Sequence, residues 1–148
     1  MFKIRTILCP VDFTDPTQKE VSYAKEFAAG MGASIYLLNV IDIPAEIMVN
    51  NLPLEEKFEK TELDKLDVLK SRLAAEGVKV DGSIEFGDPA QVILGKAHEL
   101  GVNLIIMNSH CKTGFSRLIL GSVTEAVMRK SPCPVLVVKS DETEFIGE

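Results

Sequence analysis

Residues 104–139 read LIIMNSHCKTGFSRLILGSVTEAVMRKSPCPVLVVK, which is strand, polar loop, Gly-Ser, helix and strand in one unbroken unit. Leu104, Ile105, Ile106 and Met107 form an apolar run too short for a helix and bounded by turn residues. Such a run predicts a strand buried on both faces. The chain then leaves the core at Asn108. Ser122, followed three residues later by Glu125, has the pattern of a capping box and predicts a helix running through Val127 and Met128 to Arg129 and Lys130. Pro132 ends it, and residues 134–138 supply the next buried strand. A helix start next to Gly121 offers unpaired amides and the positive end of the helix dipole, which favour a phosphate or another anion.

The same alternation extends back through the chain. Residues 4–11 predict a first strand, and Asp15-Pro16-Thr17-Gln18 then predicts a helix start with a capping residue, Pro at the first helical position and Gln at the third. Ser34 to Ile41 reads as the second strand, residues 42–53 as a long loop without periodicity, and residues 54–76 as a helix with Leu66, Leu69 and Leu73 on one face. Glu56 and Lys60 are spaced as an i,i+4 pair on another, solvated face. A third strand over residues 80–86 leads to Asp88-Pro89-Ala90-Gln91, the same helix-start device, and that helix ends near Leu100-Gly101. Five strands alternating with four helices predict a single α/β domain, residues 1–148, with a doubly wound parallel sheet and helices on both faces.

Composition narrows the function. The 148 residues are enough to bury roughly 68–70% of the unfolded surface, so a core forms without staples. A net charge of −6 gives no basic footprint for nucleic acid or an anionic membrane. No hydrophobic run approaches the ~20 residues of a membrane span, and no signal-peptide pattern precedes the first strand, so a cytoplasmic location is expected. Three cysteines without a Cys-x-x-Cys spacing suit a reducing compartment and supply no metal site. The P-loop and Gly-x-Gly-x-x-Gly patterns are both absent.

Four further stretches stand in a specific order with the Gly121-Ser122 unit: ILCPVDFTDP at 7–16, LLNVID at 37–42, GDPA at 87–90 and CPVLVVK at 133–139. Over nearly its whole length the chain resembles the universal stress protein family. The resemblance implies a Rossmann-like sheet of order 3-2-1-4-5, with ligands beyond the carboxyl ends of the strands where Asp12 and Asn108 meet. It also implies a regulatory module that binds ATP with Mg²⁺. In its ATP-binding branch, a Gly-x-x-Gly, nine residues and then Gly-Ser or Gly-Thr wrap the phosphates and ribose. Counted back from Gly121-Ser122, the two motif glycines are replaced by Asn108 and Cys111. Glycine permits positive φ and close backbone approach to a phosphate. Asn108 keeps some of that freedom, whereas Cys111 brings a Cβ and a sulfur to the loop.

Carried over by position, the resemblance implies Pro10, Val11 and Asp12 at the ribose end and Val40 against adenine. It implies Met107, Ser109 and His110 after the fourth strand, and Gly121, Ser122, Val123 and Thr124 at the last helix. Each has a plainer reading. Asp12 caps a turn before Thr14, or is a phosphoacceptor, which requires acidic partners that are not clearly present; its place at a strand's carboxyl end favours the ligand. Val40 suits core packing equally. His110 is a loop donor before it is a catalytic base, since no triad spacing is visible. Lys112, Ser116 and Arg117 serve a phosphate or a solvated loop. Cys111 is an inert small hydrophobe or a redox thiol, with the helix start too far away to activate it. Cys9 and Cys133 look structural, and His98 lies on a helix surface or packs.

Two functions follow: a nucleotide-responsive binding protein, or a dimeric interaction module with little or no nucleotide affinity. Enzyme activity, at most a slow ATPase, ranks behind both. A homodimer is expected through Val135, Leu136, Val137 and Val138, an apolar strand that the resemblance places at the sheet edge.

Overall fold

Alternation along each strand sends successive side chains to opposite sheet faces, and the computed structural model shows both faces covered. It describes residues 3–13, 18–42, 52–109 and 120–139. The strands are β1 (Thr6–Pro10), β2 (Ser34–Ile41), β3 (Val80–Phe86), β4 (Leu104–Asn108) and β5 (Val135–Val138). Between them lie α1 (Lys19–Met31), α2 (Leu52–Ala75), α3 (Pro89–Leu100) and α4 (Ser122–Lys130). All pairings are parallel, in the order β3-β2-β1-β4-β5. This is the doubly wound sheet that the strand and helix pattern predicts.

One face buries Ile7, Cys9, Ile35, Leu37 and Ile106 under Val21, Ala24 and Ala28 of α1 and Leu66, Leu69 and Leu73 of α2. The other buries Leu8, Leu38, Ile105 and Met107 under Ile93 and Ala97 of α3 and Val127 of α4. Each fully buried Leu or Ile contributes about 1.5–3 kcal/mol through surface removed from water. Strand β3 comes very close to its neighbour at Gly82, where an added Cβ would lie 2.6 Å from the Leu37 carbonyl oxygen. Any larger residue there forces the two strands apart.

Helix ends show where local signals hold. Asp88 caps α3 as expected, its Oδ1 accepting from the Gln91 amide at 2.9 Å, with Pro89 opening the helix. The first helix departs from expectation. Gln18 is not the third helical residue but the residue before α1, at φ 45° and ψ 46°, and its carbonyl accepts from the Val21 amide at 3.0 Å. Asp15, Pro16 and Thr17 lie outside the described residues.

The capping box at α4 is also corrected. Gly121 is the cap, extended at φ −60° and ψ 150°, and its carbonyl accepts from the Glu125 amide at 3.0 Å. Ser122 is therefore already helical, and Glu125 pairs forward with Arg129 at 2.8 Å instead of reaching back. The helical residue four ahead offers a charge partner that the box geometry does not. No helix among the described residues is long and apolar enough to cross a membrane.

Candidate functional site

The chain runs outward from β1 through β2 to β3 and then crosses to β4 on the other side of β1, so β1 and β4 part at their carboxyl ends. Parallel strands with antiparallel crossover helices bring the starts of α3 and α4 to that same end. A cavity of about 90 Å³ opens there. Pro10, Val11 and Asp12 follow from β1, Leu38 and Val40 from β2, and Met107 and Asn108 from β4. Pro89 and Ile93 of α3 and Val123 and Thr124 of α4 complete the wall.

Most of the lining is aliphatic, and Leu38, Ile93 and Met107 are buried at its base. Polar groups come from Asp12, Asn108 and Thr124. The backbone that frames them is fixed by hydrogen bonds: the Val11 amide donates to the Leu38 carbonyl at 2.9 Å, and Thr124 Oγ1 donates to the Asn108 carbonyl at 3.1 Å. The two helix starts differ in how they are capped. Asp88 already places a carboxylate on the first turn of α3, whereas no side chain caps α4 among the described residues. The first-turn amides of α4 are thus not taken by a side-chain cap, although Glu125 in that turn, paired with Arg129, answers part of the helix dipole.

Of the residues named from sequence, Pro10, Val11, Asp12, Val40, Met107, Val123 and Thr124 line this cavity. Gly121 is buried and Ser122 exposed, both beside the cavity wall but not lining it. The Ser109 amide donates to the Val138 carbonyl at 3.0 Å, so the sheet already uses that donor. His110 and Cys111 lie outside the described residues, as do Lys112, Ser116 and Arg117.

Leu38, Pro89 and Ile93 were not singled out from sequence. Leu38 was recoverable, because it lies two residues before Val40 and so shares its face. Pro89 and Ile93 carry no local signal for a site; the crossover places α3 over β2.

The remaining reactive groups behave structurally. Cys9 is fully buried, and burial, followed by the nearby Glu20 carboxylate, raises its pKa well above the usual thiol value. Its thiol stays protonated and unreactive. Cys133 is half-buried, and its amide donates to Ser131 Oγ at 3.2 Å. His98 is exposed on α3. Lys96 is nearly buried between Glu85 at 2.6 Å and Glu99 at 3.1 Å, over the Tyr36 ring. The hydrogen bond to Glu85 is the main reason its pKa is raised, so it stays a cation that pins α3 to β3.

A doubly wound α/β protein with a cavity at its topological switch point is the class that this fold and site define. The universal stress protein family model, Usp, matches residues 3–139. Universal stress protein MJ0577 of Methanocaldococcus jannaschii is 33% identical over 154 residues, covering 91% of this chain and 94% of that protein. MJ0531 of the same organism is 33% identical over 147 residues, covering 95% and 85%. The solved structure of MJ0577 superposes with a TM-score of 0.85 at 35% identity, covering 96% of this chain and all of that one. The universal stress protein UspA from Lactobacillus plantarum shares the fold at a TM-score of 0.82 and 22% identity, covering 93% of this chain and 99% of that one. The chain belongs to the universal stress protein family.

Proposed function

We propose that this protein is a regulatory module that binds an adenine nucleotide in the switch-point cavity. The observation that carries the reading is the meeting of Asp12, an aliphatic cavity wall and the start of α4, whose amides no side chain among the described residues caps, in one place. The aliphatic wall beside Val40 suits the flat face of a purine. Asp12 accepts hydrogen bonds from ribose hydroxyls, and the first turn of α4, with Ser122, Val123 and Thr124, takes the phosphates. Mg²⁺ would be held mainly by the nucleotide's own phosphates, since Asp12 is the only carboxylate among the described residues that line the cavity.

A second reading has its own support. Asn108 pairs with Val138, and the bond from Ser109 continues the β4–β5 ladder through the first motif position, so this part of the loop is strand. That favours an interaction module with little or no nucleotide affinity. Calorimetry on Asn108→Gly combined with Cys111→Gly separates the two. The double variant is expected to bind ATP with Mg²⁺ at least tenfold more tightly than the wild type, about 1.4 kcal/mol, while the ~0.4–1 kcal/mol per site that added glycine freedom costs falls on folding stability. Equal binding by both proteins means the loop tolerates Asn108 and Cys111. No binding by either leaves the interaction module as the function.

The same reading includes a homodimer through β5, whose Val135, Leu136 and Val137 are only half-buried at the sheet edge. An unpaired apolar edge invites strand addition. Val137→Lys is expected to move the mass measured by light scattering from dimer to monomer. A wild type already monomeric at high concentration overturns this.

A further inference from the structure

The strand ends that carry Asp12 and Val40 are joined behind the sheet by a polar chain that ligand contact does not explain. Asn39 precedes Val40, and alternation turns its side chain to the opposite face, where the residue is 4% exposed. Its Nδ2 donates to Glu62 Oε2 at 2.6 Å. The other carboxylate oxygen, Oε1, accepts from Lys65 Nζ at 3.0 Å. Lys65 Nζ in turn stands 5.8 Å from the centroid of the Phe13 ring, one residue after Asp12. That distance is within cation–π range.

Glu62 breaks a pattern in order to be there. It sits one turn before Leu66, on the helical stripe that continues through Leu69 and Leu73 into the core. An apolar residue is the expected occupant. The carboxylate instead faces a buried amide, and a charge-assisted hydrogen bond of this kind is short, directional and stronger than a neutral one. It lies at the carboxyl end of the sheet only. The amino ends are tied by other groups: the Ser34 amide to the Arg5 carbonyl at 2.9 Å, and the Arg5 and Thr6 amides to Asn103 Oδ1 at 2.8 and 3.1 Å.

We infer that Glu62 is a positioning residue of the nucleotide site: through Asn39 and through Lys65 on Phe13, it sets the spacing of the β1 and β2 ends that present Asp12 and Val40. This rests on the adenine-nucleotide reading of the cavity. Supporting groups of this kind matter because small displacements of contact residues weaken binding strongly.

The test uses the full chain, hydrogen exchange by NMR without ligand, and calorimetry with ATP and Mg²⁺. The Val11 amide, bonded to the Leu38 carbonyl, reports the carboxyl end, and the Ser34 amide reports the amino end. In Glu62→Leu the Val11 amide is expected to exchange at least tenfold faster while Ser34 keeps its protection, and ATP to bind at least tenfold more weakly. Glu62→Gln, which still accepts from Asn39, should bind within threefold of wild type. Unchanged Val11 protection, or equal acceleration at Val11 and Ser34, overturns the inference. So does unchanged affinity in Glu62→Leu. A wild type that takes up no ATP defeats the nucleotide reading, and the exchange result still decides whether Glu62 holds the strand ends. Should Glu62→Leu fail to fold, Lys65→Gln at an exposed position is expected to weaken ATP binding about threefold, and unaltered binding there counts against the proposal.

Discussion

Asp12→Ala is expected to weaken adenine-nucleotide binding about 10- to 100-fold. A hydrogen bond to a charged group contributes about 1.5–3 kcal/mol, and each 1.4 kcal/mol is a factor of ten in affinity. Asp12 is half-buried at the cavity, beyond the last residue of β1, so its removal leaves the β1 ladder intact. Calorimetric affinity should fall while the ligand-free variant keeps the circular-dichroism spectrum of the folded wild type. Background matters for the size of the signal: the Asn108→Gly, Cys111→Gly protein, if it binds more tightly, gives the wider measurable range. An Asp12→Ala protein that binds ATP as the wild type does would remove the ribose role and leave the carboxylate as a turn group before Thr14.

Ile106→Ala is expected to destabilise the fold by about 2–5 kcal/mol, a large part of the ~5–15 kcal/mol that holds a domain of this kind together. Ile106 is fully buried on β4, opposite Leu136 in register and within the cluster that α1 and α2 cover. Truncation removes the transfer energy of the lost methylenes and leaves a cavity that strands on both sides keep from collapsing. The melting temperature should drop by roughly 10 °C. A loss below ~1 kcal/mol in a denaturant titration would mean that the sheet relaxes around the site far more than its two covering layers suggest.

Much of this fold was legible because its signals are local. The second and third strands occupy Ser34–Ile41 and Val80–Phe86, the spans read for them from the sequence. Asp88-Pro89 opened a helix because a carboxylate cap and a proline act on their immediate neighbours. The two misread helix starts have the same origin. Asp15-Pro16-Thr17-Gln18 and Ser122-Glu125 both carry the letters of a cap, yet the backbone puts the cap at Gln18 and at Gly121. A sequence pattern states which side chains are able to cap; it does not state where the backbone leaves its extended form.

The site divides the same way. Asp12, Val40 and Met107 lie at or just past the carboxyl ends of strands, which are visible in a sequence, and all three line the cavity. Pro89 and Ile93 were missed because α3 becomes a wall only once its crossover lays it over Leu38 and Val40. Asn39 and Glu62 stand 23 residues apart, and although Glu62 interrupts an apolar stripe, nothing local says that it faces Asn39.

By itself, then, the sequence determined the alternation of strands and helices, the double burial of the sheet, and the presence of Asn108 and Cys111 at the two family-motif glycine positions, since periodicity, turn chemistry and residue identity act over a few neighbours. The tertiary structure alone decided which strands lie side by side, which helix starts converge on one cavity, and which backbone donors the sheet consumes. Those outcomes depend on packing between segments far apart in the chain, and no short stretch of residues carries that information.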